Sequence, residues 1–235
     1  MTGIFRWVHR GCVATSLAAI ACALHFWGAT EVRTQPGELL FLTLLGGFWG
    51  LLASRLFAWL GLSLRDDAIE RRNVGALVAL CGAELGVTVT YVGGSAGEGP
   101  SYWNNIFSAG LSTSSLFLVW MLLELTAKAS RSIAEERDVA AGVRLGGFLL
   151  AASLVLGRAA AGDWHSELAT VHDFVEEGWP VLILGAGALI TERVLRPSRR
   201  HPFPPWPSCG LVPALLYLAF AALWLWHLGP WEGMP

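Results

Sequence analysis

Seven apolar stretches recur along this chain, each close to the roughly 20 residues that a helix needs to cross a bilayer. They are Gly11–Ala29, Leu39–Leu60, Val74–Gly93, Ile106–Leu125, Val139–Arg158, Gly178–Leu195 and Leu211–Leu228. This pattern narrows the fold sharply, because a backbone in hydrocarbon must satisfy its hydrogen bonds within helices or closed barrels. The expected fold is an all-α integral membrane protein with seven transmembrane helices. Charged residues make up only 14% of the sequence, against about 25% in soluble domains. The sixth stretch is the weakest, with an uninterrupted core of only Trp179–Thr191. Glu192 and Arg193 then fall at the membrane edge, and Pro180 suits a first helical turn, where its missing N–H costs nothing.

Positive residues set the expected orientation. Fourteen of the 16 Lys and Arg residues fall on one side, and only Arg33 and Arg158 on the other. By the positive-inside rule the N-terminus is cytoplasmic and seven crossings put the C-terminus outside. Trp27, Trp103, Trp164, Trp179, Trp226 and Trp231 would form an outer aromatic belt, with Trp7, Trp59 and Trp206 near the inner face. Arg6 and Arg10 before an apolar stretch also fit a signal peptide. The bulky His25, Phe26 and Trp27 occupy the place of a small-residue cleavage site, which favours retention as a span.

Several function classes drop out. A net charge of −2 provides no basic field for nucleic acid. Cys12, Cys22, Cys81 and Cys209 lie in or beside apolar runs, with neither disulfide-framework nor zinc spacing. No phosphate-binding glycine loop, Gly-x-Ser-x-Gly elbow, His-Glu-x-x-His or Cys-x-x-Cys is present, so nothing argues for an enzyme. A retinal protein needs a Schiff-base lysine, and the only lysine, Lys128, lies in a cytoplasmic loop. No cofactor is implied.

Two cytoplasmic approaches to a span look alike. Ala68-Ile69-Glu70-Arg71-Arg72-Asn73-Val74-Gly75-Ala76 is followed, 65 positions on, by Ile133-Ala134-Glu135-Glu136-Arg137-Asp138-Val139-Ala140-Ala141. Asn73 and Asp138 each suit a helix N-cap, accepting a hydrogen bond from an early backbone N–H. Small residues then begin a helix able to pack closely on a neighbour. The unit holds an even number of spans, so its copies cross in the same sense, as parallel repeats. The division expected is an N-terminal span and outer loop (1–37), a first repeat (38–132), a second repeat (133–197), and a Pro-rich connector with the last span (198–235).

This pattern, Glu-x-Arg-Asn/Asp-Val-x-Ala before a Gly-rich apolar helix, resembles the YjfL-type domain of unknown function numbered three-hundred-and-fifty. The resemblance covers residues 40–197 as two tandem copies and leaves the first and last spans outside. It implies a bacterial inner-membrane location and no particular activity. Gly75 stands where the family has a small alanine, and Asp138 where asparagine is more usual.

One residue stands out chemically. Glu84 lies 11 residues after Asn73, about 16 Å along a helix and close to the bilayer midplane, where an ionisable side chain is costly and commonly functional. Cys81, Glu84, Thr88 and Tyr91 share a face of the third span. Ser108, Ser112 and Ser115 share a face of the fourth. If those faces meet, a polar cleft reaches Glu84 from outside. The second repeat has Leu149, Ser153 and Leu156 at the positions of Glu84, Thr88 and Tyr91. Two readings stand: a structural role, by pairing with Arg144 or by neutral burial, or an ion or solute site.

Other candidates are weaker. His25 and His227 fall at similar depth near the outer ends of the first and last spans, as metal or haem ligands or as amphipathic interface residues. The segment Asp163–Glu177, with His165, Glu167, His172 and Asp173, can bind divalent cations. Trp164, Leu168, Val171 and Val175 instead favour an amphipathic surface helix with a solvated polar face. The run Arg196–Arg200 and the prolines after it fit a headgroup contact and stiff connector. Function then divides between a non-catalytic membrane subunit and a small channel or transporter centred on Glu84. The subunit would join a homo-oligomer or other membrane proteins through Gly46-x-x-x-Gly50 and Gly82-x-x-x-Gly86. The lipid bilayer is a partner in both.

Overall fold

The structure, a computed structural model, describes residues 2–197, 204–231 and 234. Among these there is no strand. The long helices are α1 (Thr2–Trp27), α3 (Pro36–Phe57), α4 (Val74–Gly94), α5 (Tyr102–Ala127) and α7 (Val139–Ala159). Shorter ones are α2 (Thr30–Thr34), α6 (Ala129–Ala134), α8 (Glu167–Gly178), α9 (Val181–Val194) and α10 (Val212–Leu228). π-helical turns cover Leu64–Glu70 and Pro207–Leu211, the latter leading into α10. Six helices are long and apolar enough to cross a membrane, and a seventh crossing forms if α8 and α9 act as one bent span. The protein is therefore an all-helical, polytopic membrane protein.

The sixth crossing differs from the stretch Gly178–Leu195. α9 has 14 residues, about 21 Å at 1.5 Å per residue, too short for a hydrocarbon core of about 30 Å. α8, at an angle of 45° to α9, adds the missing length if the two act as one bent span. The break falls at Pro180, which has no N–H to continue the helical ladder. Glu192 also leaves its expected place at the edge and is buried.

Four helices, α1, α4, α7 and α10, form a row in which each runs parallel to the next. α3, α5 and α9 run the opposite way in the grooves, against α1 and α4, α4 and α7, and α7 and α10 respectively. The centre of the row is the α4–α7 contact, where glycines bring backbone onto backbone. A methyl at Gly82 would overlap the Gly146 backbone, and one at Gly93 the carbonyl of Gly157. Gly82 and Gly86 therefore face α7, while Gly46 and Gly50 face Tyr91 and Glu84. These two small-residue motifs are spent inside the molecule and are not free to dock a partner.

Local geometry recurs at the 65-residue offset. α4 and α7 start at Val74 and Val139 and have equal length. Asn73 Oδ1 accepts from the Ala76 N–H at 3.2 Å, and Asp138 Oδ1 from the Ala140 N–H at 2.8 Å. Ahead of each cap, Arg72 and Arg137 adopt left-handed φ of 54° and 56°. Past each helix, Gly97 and Gly162 turn the chain with φ of 102° and 139°, values that L side chains rarely adopt. Ser101 and Ser166 then precede α5 and α8. The matching segments are thus 64–127 and 129–194, two crossings each. α3 lies before the first of these segments. Of the Arg196–Arg200 run and the prolines after it, Arg199, Arg200 and Pro202 lie outside the described residues.

Gly93→Val should destabilise the protein by about 1–3 kcal/mol through overpacking, read as a loss of thermal stability in detergent. Gly11→Ala, where an added methyl meets nothing within 4 Å, should hold or raise it.

Candidate functional site

Buried charges are the natural starting point, because each must be paired or hydrogen-bonded to be tolerated. Arg144, on α7, is 1% exposed. Its guanidinium donates from Nε to Glu192 Oε1 at 2.8 Å and from Nη2 to Glu192 Oε2 at 2.9 Å, a bidentate pair between α7 and α9. Nη1 donates to the Cys209 carbonyl at 2.6 Å, and Asp138 Oδ2 lies 3.9 Å from Nη2. The proposed Glu84–Arg144 pair is therefore not formed. Arg144 lies on the α9–α10 side of α7, whereas Glu84 faces α1 and α3 across α4. Nearby, Thr191 and Tyr217 share a hydroxyl–hydroxyl bond that ties α9 to α10. At the other end of α7, Arg158 donates to Glu177 Oε2 at 2.7 Å and lies over the Trp231 ring. Its charge is neutralised within the fold and does not reach out toward the interface.

Glu84 sits at the midpoint of α4 and is 7% exposed. Among the described residues it is the one buried ionisable side chain with neither an ion pair nor a hydrogen bond. Its carboxylate enters a small cavity of about 20 Å³ lined by Ser16 and Ile20 of α1, Gly46 and Gly50 of α3, and Thr88 of α4. That is room for about one water-sized particle. Ser16 Oγ is buried there without a hydrogen-bond partner. The absence of side chains at Gly46 and Gly50 makes the space: a Cβ at Gly50 would lie 3.0 Å from Glu84 Oε1. Cys12 Sγ, donating to the Cys81 carbonyl at 3.7 Å, closes the α1–α4 contact on the arginine-rich side.

The expected cleft between the third and fourth spans does not form. Ser112 Oγ bonds the Thr90 carbonyl at 3.1 Å and the Ser108 and Ala109 carbonyls of its own helix. Thr90 and Thr113 bond each other at 3.0 Å, and Trp49 Nε1 donates to Thr113 Oγ1 at 3.1 Å. Ser108 is buried where Gly94 admits the α5 backbone, and Ser115 is half-buried beyond it. The serine face of α5 is a closed seam, while Cys81, Glu84, Thr88 and Tyr91 turn toward α1 and α3.

Tyr91 caps the Glu84 cavity. It is 2% exposed, lies against Gly46 and donates to the Leu42 carbonyl at 2.8 Å. On the far side of Leu42 a cavity of about 340 Å³ opens at the end of the bundle away from the arginine-rich turns. Glu31 and Glu38 are its only charged lining residues. Open vestibule, tyrosine and buried carboxylate are thus stacked along one groove.

The histidines do not join this site. His25 packs edge-on against Phe26, and His227 lies tilted over Trp224; both are exposed. His172, Asp173 and Glu176 form a fully exposed group on α8, whose Leu168 and Val175 also face outward. Trp27 and Trp231 meet edge to face at 6.0 Å, and Trp179 and Trp224 at 5.9 Å.

Sequence reasoning missed Glu192, Ser16 and the vestibule acids. Small residues at Gly46 and Gly50, one turn apart, were the available signal for what faces Glu84. Glu192 continues the face of Val181, Leu184 and Ala188 at helical spacing, and that spacing was the available signal for its burial. The chain matches no family model, no curated protein and no solved structure.

Arg144→Met should cost about 3–5 kcal/mol, because it leaves Glu192 buried and unpaired. The double variant with Glu192→Leu should recover much of that loss in thermal stability. A pH effect is expected at the α1–α2 junction. There the Glu98 carboxyl is held below its usual range by the Thr30 hydroxyl at 2.6 Å, assisted by the Thr30 N–H and Arg33. A lowered folded pKa contributes stability above the unfolded value and loses it as pH falls through the folded one. Hydrogen exchange at the Thr30 amide, corrected for its intrinsic rate, should therefore rise on acidification below the ordinary glutamate range.

Proposed function

We propose that this protein is a small, non-catalytic ion-translocating membrane protein, of the channel or transporter class, in which Glu84 is the ion- or proton-binding group. The observation that carries this reading is the unpaired carboxylate at the middle of α4. Every other buried charge on the described residues has a partner, so the fold can neutralise what it buries. Glu84 instead faces a small cavity, of the size of one water, in which Ser16 and Thr88 are the other polar side chains and the rest of the lining is apolar or glycine. An intramembrane acid facing a cavity rather than a counter-charge is the usual mark of an ion or proton pathway.

The alternative, a subunit joined to others through small-residue faces, loses its main support because those glycines pack inward. Exposed Leu40, Leu44, Phe48 and Leu51 on α3 are as well covered by lipid as by protein. The arginine distribution places the arginine-rich end in the cytoplasm and the vestibule outside. We place the protein in a bacterial inner membrane, a reading supported by the resemblance in its sequence alone.

Flux of protons and monovalent cations into vesicles reconstituted with the purified chain tests this. Glu84→Gln should abolish flux while leaving thermal stability at or above wild type, since a neutral amide is cheaper to bury. Tyr91→Phe, which removes the bond to the Leu42 carbonyl, should raise it. Wild-type flux through Glu84→Gln would overturn the proposal, as would an inert wild-type protein.

A further inference from the structure

The vestibule above Tyr91 has a chemistry of its own. Its volume of about 340 Å³ lies in the range of small-molecule sites. Among the described residues the wall carries two carboxylates, Glu31 and Glu38, and no Lys, Arg or His. Arg33, the nearest cation in sequence, is turned to Glu98 and the Thr30 hydroxyl. The site is thus locally anionic without an internal counter-ion.

A second feature points to a ligand. Ser95, at the end of α4, is 4% exposed and lines the vestibule, and its Oγ lies beside the Tyr91 hydroxyl without a hydrogen bond of ordinary geometry. A buried hydroxyl without such a bond costs free energy. Glu38 is held in place by the Tyr102 hydroxyl, which donates to its Oε2 at 2.6 Å, leaving the carboxylate further acceptor capacity. Beside these groups the wall is apolar, at Val32, Leu42 and Pro100.

We propose that this vestibule binds a small organic cation, a primary alkylammonium ion. Its three N–H donors match the Glu38 carboxylate, the Ser95 hydroxyl and the anionic field of Glu31, and its methylenes match the Leu42 and Val32 wall. A divalent metal fits less well. Among the described residues the only three metal-type side chains drawn together are His172, Asp173 and Glu176 on α8, and the vestibule is far larger than one ion. The Glu84 cavity, with room for one water-sized particle, is too small for this ligand, so the vestibule stands as a binding site independently of the function proposed above.

The test is calorimetric titration of the detergent-purified full chain with butylammonium chloride at constant ionic strength, with magnesium chloride as competitor. Saturable binding is expected, weakened about tenfold or more by Glu38→Gln, and less by Ser95→Ala. Glu31→Gln serves as a second charge variant should Glu38→Gln fail to fold. Glu84→Gln should bind like wild type, so intact binding with lost flux separates this site from the path beneath it. No saturable binding to wild type would overturn the proposal. So would undiminished binding to folded charge variants, or equal displacement by magnesium at matched ionic strength.

Discussion

The rest of the molecule depends on one contact, the glycine-lined approach of α4 to α7. In a bilayer, helices gain little from apolar burial against each other, since lipid tails are as apolar as leucine. Close van der Waals contact and interhelical hydrogen bonds must hold them. Gly82 on Gly146 and Gly93 on Gly157 give that contact along nearly the whole of both helices. With these two backbones fixed, α5 seats in the groove between them, and α1 and α10 extend the row on either side. α4 and α7 have the same length and start 65 positions apart, which suits a parallel seam of this kind.

A seam this close leaves each central helix one outer flank, and the two copies use it differently. On α7 the flank carries Arg144, neutralised by Glu192 and bonded to the Cys209 carbonyl. On α4 it carries Glu84, with glycines and Ser16 around it and no counter-charge. The equivalent positions are silent in the other copy: Leu149 stands for Glu84 and Ala79 for Arg144, both fully buried. One flank is thus a structural lock and the other holds a single unpaired carboxylate in a small cavity. A buried pair such as Arg144–Glu192 adds little net stability over an apolar substitute, so its role is to fix which helices meet.

The apolar helices and the two caps were legible in the sequence because each is a local signal: hydropathy over a window, or Asn or Asp before a small-residue run. The direction in which a helix face points was less legible. Glu84 and Thr88 share a face, as periodicity requires, but that face meets α1 and α3, not the serines of α5. Periodicity fixes relative angle on one helix and leaves its rotation to the packing of neighbours. Arg144 found Glu192 for the same reason. Pro180 bends α8 from α9, and hydropathy does not register a bend.

The asymmetry of packing also decides where any opening has to occur. α4 cannot separate from α7 without breaking the backbone contacts that define the fold, so Glu84 cannot be reached from that side. On the other side the barriers are side chains: the Tyr91 ring, a single hydrogen bond to the Leu42 carbonyl, and the Ile20 and Leu42 contacts around it. Rotation of one aromatic residue joins the vestibule to the carboxylate, whereas the arginine-rich side is closed by the Cys12–Cys81 contact of two helices. α1 and α3 are mostly exposed along their lengths and α4 is mostly buried. Displacing either of them disturbs few interior contacts. For the ion path proposed above, passage beyond Glu84 would require movement of α1 or α3 against a fixed α4–α7 core.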